Sequence, residues 1–189
     1  PVHPHHPEMG QREFMFAREL WIEQDDFMVE PIKGFFRLFV GNKVRLRHGF
    51  VIECTGFDTN DAGEVIAVHA NYFPDSKSGT EGSNNYKVKG NIHWLSDASA
   101  IPCEIRVYDR LFNDPHPDAG GKDFLQALNA NSKHISQGFV ESGLANTAPE
   151  THFQFERHGY FVTDRKDSQP GALVFNRIVS LKDGWAAKK

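Results

Sequence analysis

Apolar and polar residues alternate one for one along much of the chain, the period of a strand with one buried face. Phe14 and Phe16 open the pattern, and the run ELWIE carries it to Glu23. In FFRLFVGNKVRLRHGFVI (35–52), Leu38 and Val40, then Val44 and Leu46, fall at alternating positions. GFVIECTGFD, a TNDAG turn and EVIAVHANYF predict a hairpin, because Asn, Asp and Gly supply the turn backbone. YKVKGNIHWLS and PCEIRVYDRLF are two further alternating runs, separated by a short SDASAI connection. THFQFERHGYFVTD and ALVFNRIVSL predict a closing hairpin around RKDSQPG. Residues 74–85, PDSKSGTEGSNN, are polar and glycine-rich and read as a mobile loop. Only KDFLQALNA, about 122–130, predicts a helix, with Asp123 near its start and Phe124, Leu125 and Leu128 on one face. So many short strands predict an all-β fold, and their number suggests two barrels. No internal repeat is visible.

Composition narrows the class. At 189 residues, 39% hydrophobic with 16 Phe and 3 Trp, the chain is too apolar for disorder to describe it. No apolar run approaches the roughly 18 residues of a membrane helix, and no signal-peptide pattern opens the chain, so no membrane partner is expected. Cys54 and Cys103 both sit in apolar, strand-like runs, which predicts buried thiols in a reducing compartment and a cytoplasmic location. The opening PVHPHHPE, without an initiator Met, reads as an interdomain linker, so the sequence is expected to be a piece of a longer protein.

Charge changes the picture most. The chain is net −4, yet residues 31–52 hold Lys33, Arg37, Lys43, Arg45 and Arg47 and no acid, so the remainder carries −9. In a strand, Arg45 and Arg47 share one face while Val44 and Leu46 face the core. A bland solvated face normally mixes signs. Single-sign basic patches attract phosphates, and neighbouring aromatic rings can stack unpaired bases, so nucleic acid is favoured over an ordinary surface.

Other candidate chemistry is weaker. GGK at 120–122 lacks the upstream Gly and following Ser/Thr of a phosphate loop. His3, His5 and His6 have no second ligand cluster at zinc-like spacing, and a solvated linker accounts for them better. Glu23, Asp25 and Asp26 read as a solvated charge cluster at a strand end rather than an acid–base pair. Nothing in the local sequence activates Cys103. No catalytic constellation, metal site or cofactor motif emerges.

Seven blocks carry a resemblance: PEMG (7–10), LWIE (20–23), VRLR (44–47), VKGNIHW (88–94), EIRVYDRLF (104–112), FQFERHGYF (153–161) and VFNRIVSLKDGW (174–185). In this order, from about Pro4 to Trp185, they resemble the C-terminal anticodon-binding region of bacterial glutaminyl-tRNA synthetases. The resemblance implies two stacked antiparallel β-barrels, each similar to a ribosomal protein that binds 5S RNA. The distal barrel is expected at about 33–112, inserted into a proximal barrel of about 1–32 plus 113–189. It further implies an upstream catalytic Rossmann domain using ATP with Mg and glutamine, whose HIGH-like and KMSKS-like motifs do not occur here. The chain alone is then non-catalytic, monomeric, and partnered by the tRNA(Gln) anticodon loop and its own N-terminal catalytic domain.

Residue roles follow from the same resemblance. The two arginines of VRLR, Arg45 and Arg47, are expected at the first anticodon base, and Arg37 with Lys33, just before the LxxG turn, at the third. Gln154 and Arg157 of FQFER are expected in the pocket for the middle uridine. Arg presents a bidentate fork to guanine, and Gln can both donate to and accept from uracil. The chain departs from the family at Gly34 and Phe36, where polar residues are usual, and at His5, where an Asn lies near the anticodon. Stacking by His5 or Phe36 could replace a hydrogen bond there. The alternatives are a freestanding β-barrel RNA- or protein-binding module and the anticodon domain of a glutamyl-tRNA synthetase.

Overall fold

Strand β2 (Lys43–Leu46) organises a four-stranded sheet in a computed structural model of the protein, which describes residues 2, 3, 5–13 and 15–181. Its burial alternates as the sequence predicts: Val44 and Leu46 are fully buried, whereas Lys43 is exposed and Arg45 half-buried. β2 pairs antiparallel with β3 (Val51–Thr59) and parallel with β5 (Gly90–Ile92). β4 (Val65–Phe73) completes the sheet against β3, forming the predicted hairpin. At its tip Asn60 Oδ1 accepts from the amides of Ala62 and Glu64, and Gly63 takes the left-handed conformation. A two-stranded pairing of β1 (Leu20–Ile22) with β6 (Trp94–Ser96) adjoins this sheet in sequence, and Leu20, Ile22 and Phe16 pack on the same core. That core consists of Leu38, Val44, Leu46, Ile52, Cys54, Ile92 and Trp94.

A second core holds Cys103, Val140, Phe161, Leu173 and Phe175. It lies in a five-stranded sheet ordered β8-β7-β11-β10-β9. The strands are β7 (Ile101–Tyr108), β8 (Lys133–Val140), β9 (His152–Phe155), β10 (Gly159–Thr163) and β11 (Leu173–Val179). Phe153, Phe155, Phe161 and Phe175 form a chain of ring contacts with centroids 4.5 to 6.4 Å apart, the separations aromatic pairs favour. Burial also pushes the Cys103 thiol up to about 11, so it is a protonated, apolar part of this core.

The chain divides into two compact units, Met15–Ala98 and, flanking it, Pro1–Phe14 with Ser99–Lys189. Strand pairing sets these bounds. β1 gives its hydrogen bonds to β6, and β7 gives its own to β8 and β11.

Several expectations need correction. The sheets are mixed rather than purely antiparallel, because β2–β5 and β7–β11 are parallel pairs. Among the described residues the strand orders end at β4 and β5 in the four-stranded sheet and at β8 and β9 in the five-stranded one, which bears out an all-β fold without showing closed barrels. The expected helix is only a 3-10 turn, Phe124–Ala127, and the described residues contain no α-helix. Asp123 caps this turn as predicted, but Phe124, Leu125 and Leu128 stay exposed, and so short a helix needs a buried face to persist. FQFERHGYF is two strands, β9 and β10, split by a turn at Glu156–His158. YKVKGNIHWLS likewise splits at His93 between two sheets. β8 was not anticipated. Phe14 and the end of the last motif, 182–185, lie outside the described residues.

Two predictions follow from packing and charge. A Cβ on Gly90 would lie 2.1 Å from the Phe36 carbonyl oxygen and 2.8 Å from Val44 Cγ1, so parallel pairing with β2 requires glycine there. Gly90→Ala should destabilise the chain by about 1–3 kcal/mol, read as a lower urea midpoint at unchanged slope. In the other unit, Asn176 Nδ2 (2.7 Å), the amides of Asp167 and Lys166, and Arg106 hold the Asp164 carboxyl down to about 2. A depressed folded value stabilises above the ordinary 3.8 and loses that contribution as pH falls through about 2. Asp164→Asn should therefore flatten the acid limb of a stability-versus-pH curve in that window, measured by urea titrations from neutral pH downward.

Candidate nucleic-acid interface

Each side chain in the basic stretch has a definite setting. Arg45 leaves β2 on the face opposite Val44 and Leu46, and its guanidinium is already engaged. Nη1 donates to the Ser76 carbonyl at 2.6 Å and to Ser78 Oγ at 3.4 Å, and Nη2 donates to the Ser83 carbonyl at 3.1 Å. Three of the five guanidinium N–H groups are thus used, leaving two to offer outward.

Those bonds correct the expected mobile loop. Within 74–85, Ser76 is fully buried, its Oγ accepting from the Val51 amide at 2.7 Å and donating to the Phe73 carbonyl at 2.6 Å. The Ser78 amide and hydroxyl both donate to the Gly49 carbonyl, at 2.9 and 3.0 Å. Tyr86 closes the segment through Asp75 Oδ1 at 2.6 Å and through a ring contact with Phe73. Small polar side chains make this loop fit by bonding backbone groups, which composition alone reads as disorder.

Arg47 is exposed and sits just beyond β2, in the turn leading to Phe50. Its amide donates to the Ile92 carbonyl at 3.0 Å, and its own carbonyl accepts from Trp94 Nε1 at 2.9 Å. Lys33 is exposed at the centre of a turn closed by the Phe35 amide on the Ile32 carbonyl, and Gly34 beside it has φ +91°. That conformation accounts for Gly34, since only glycine adopts it without strain.

Arg37 lies beyond this turn with its guanidinium held twice: Nη1 donates to the Asp25 carbonyl at 2.9 Å, and Nε pairs with Asp26 Oδ1 at 3.3 Å. Asp26 is 0% exposed, so the solvated cluster expected of Glu23, Asp25 and Asp26 is corrected at that residue. Its carboxylate is buried because the backbone around it is tied to Leu38, whose amide donates to the Asp26 carbonyl at 2.8 Å. Lys43 has Glu53 at 3.5 Å across the β2–β3 pair. The basic window is therefore acid-free in sequence but not in space.

The remaining predicted residues belong to the flanking unit. Gln154 is exposed on edge strand β9, where Phe153 and Phe155 turn inward. Arg157 is exposed in the β9–β10 turn at φ +67°. His5 is exposed, with its amide donating to His3 Nδ1 at 3.2 Å. Among the described residues no group of three or more His, Cys, Asp or Glu could hold a metal.

Sequence reasoning missed the burial of Asp26 and a pocket lined by its sequence neighbours Asp25 and Phe27. This open pocket is also lined by Gln24, Met28, Phe35, Phe36 and Arg37, and Phe36 is 52% exposed. The available signal was the unusual FF pair beside Arg37; the burial of Asp26 had none.

Comparison with known proteins bears on this arrangement directly. Residues 1–73 and 91–164 each match a family described as tRNA synthetases class I (E and Q), anti-codon binding domain. The glutamine–tRNA ligase of Polynucleobacter asymbioticus is 62% identical over 191 residues. Those of Cupriavidus metallidurans and Ralstonia pickettii are each 64% identical over 185 residues. Each alignment covers 98% of this chain and 32% of the relative, so the chain spans about a third of the relatives' length. The chain belongs to the anticodon-binding domains of class I (E and Q) tRNA synthetases, and within them to the glutaminyl-tRNA synthetase kind.

Proposed function

We propose that this chain recognises the anticodon loop of tRNA(Gln) as part of a cytoplasmic, monomeric glutamine–tRNA ligase. In the whole protein a separate catalytic domain uses ATP with Mg to join glutamine to that tRNA, and the chain by itself is non-catalytic. The two units are the proximal and distal anticodon-binding barrels of this reading, each supported by its own hydrophobic core. Neither a freestanding module nor a glutamyl-specific domain is favoured when the matches across 98% of the chain are to glutamine–tRNA ligases.

The observation that carries the reading is β2, whose inward residues are fully buried while its outward positions are Lys43 and Arg45, with Arg47 following. Arg45 and Arg47 address the first base, Lys33 and Arg37 the third, and Gln154 and Arg157 the middle uridine, with His5 beside the loop. Arg45 does so with its two remaining N–H donors, its others being bound to the 76–83 backbone and Ser78.

Binding of anticodon stem-loop RNAs tests this. The chain should prefer tRNA(Gln) loops over loops with a changed first base. Its affinity should fall with salt at a log–log slope of roughly −2 to −4, for about three to five neutralised phosphates on a single strand. Arg47→Lys should keep most of the affinity and lose first-base selectivity, because the charge survives and the fork does not. Equal binding of matched and mismatched loops by the unmutated chain would reduce the patch to an RNA-attracting surface.

Arg45 has a second, separable consequence. Arg45→Ala should raise amide hydrogen exchange and protease cleavage within 76–83, whereas Lys87→Ala, on the following segment, should leave both unchanged. Unaltered exchange in Arg45→Ala would mean that the loop holds itself.

A further inference from the structure

We propose that Asp26 is a positioning residue for Arg37, and that Phe36 is the stacking wall of a pocket that takes one unpaired nucleobase, the third of the anticodon. This rests on the anticodon-reading function and deepens it: Asp26 is a residue to which the resemblance gives no role, and Phe36 is a departure from the family pattern given a definite one.

The geometry begins with a charge. A carboxylate at 0% exposure must be paired, and Arg37 Nε lies 3.3 Å from Asp26 Oδ1. The Asp25 carbonyl takes Nη1 at 2.9 Å. Two anchors on two different nitrogens fix the plane of the guanidinium. Nη2 and the second Nη1 hydrogen have no partner among the described residues, and the side chain is 41% exposed. An arginine held from behind in this way offers the Nη1–Nη2 edge as a preformed fork, which loses less entropy on binding than a free side chain.

The pocket beside that fork suits a flat aromatic ring. Phe27, Met28, Phe35 and Phe36 line it, with Gln24 as a neutral amide able to donate and accept. Its volume of about 530 Å³ is in the range of small-ligand clefts. A half-exposed Phe in a concave site offers a face on which any base can stack. The Lys89 ammonium lies over the Phe36 ring, 5.0 Å from its centroid, so the base stacks on the opposite face of that ring. Aromatic face, guanidinium fork and neutral amide are the complement of a nucleobase; Asp25 is the one acidic residue in the pocket lining. The third base of a glutamine anticodon pairs with the C that opens both glutamine codons, so it is guanine, whose O6 and N7 fit such a fork.

The test uses the full 189-residue chain and three anticodon stem-loop RNAs of tRNA(Gln): intact, with adenine as third base, and abasic at that position. Phe36→Leu should weaken the intact loop about 5- to 100-fold and leave the abasic loop unchanged, while Phe36→Trp should bind both like the unmutated chain. Asp26→Asn, isosteric but uncharged, should reduce guanine-over-adenine preference about tenfold at the third position, with first-base preference intact. Phe36 is a surface residue, so its variants remain informative even if Asp26→Asn fails to fold. If Phe36→Leu weakens intact and abasic loops equally, or the unmutated chain binds both alike while discriminating the first base, the pocket holds no base and the proposal is wrong. If the unmutated chain discriminates at no position, the anticodon-reading function itself fails.

Discussion

The parallel and antiparallel pairing of β2 with its two neighbours is the constraint on which the inserted unit depends. Each β2 residue is committed to a face: Val44 and Leu46 are sealed in the core, and Lys43 and Arg45 are turned out. A register slip of one residue would bury Arg45 and expose both apolar side chains, so slippage is strongly opposed. Gly90 secures the parallel side, because only a residue without Cβ lets β5 lie against Val44 and the Phe36 carbonyl. The strand that closes the core is thus the strand that displays the arginines, and core packing fixes their direction.

The basic side chains do not stand alone on this frame. Arg45 uses three donors to pin 76–83, Arg37 neutralises a buried carboxylate, and Lys43 faces Glu53. Such engagements restrict the side chains before any RNA arrives. Preorganisation of this kind improves discrimination more than raw attraction, because the entropy of ordering the fork has been spent in folding. It also makes Arg45 and Arg37 structural as well as functional, so replacing either changes two properties at once.

The flanking unit follows different logic. Its centre is a run of phenylalanine ring contacts, and its β7–β11 pairing is reinforced by Arg106, which donates to Glu104 at 2.5 Å and to Asp167 at 2.6 Å. Gln154 stands on edge strand β9 and Arg157 in the turn that follows it, both exposed to solvent.

Local pattern by itself determined the strand alternation of β2, the β3–β4 hairpin with its Asn-Asp-Gly turn, the buried cysteines and the concentration of positive charge, because each is encoded within a few neighbouring residues. The ordered motif blocks determined the family. Tertiary structure decided whatever depends on partners distant in sequence. It left Phe124, Leu125 and Leu128 of KDFLQALNA largely exposed, with Phe124 against the Phe112 ring but no core to hold a longer helix, and it split YKVKGNIHWLS between two sheets. It ordered a glycine-rich loop through an arginine some thirty residues earlier. It also set a buried aspartate behind Arg37, eleven positions away, where no periodicity could announce it. Alternation records which face of a strand is buried, but not which acid will come to rest beside which base.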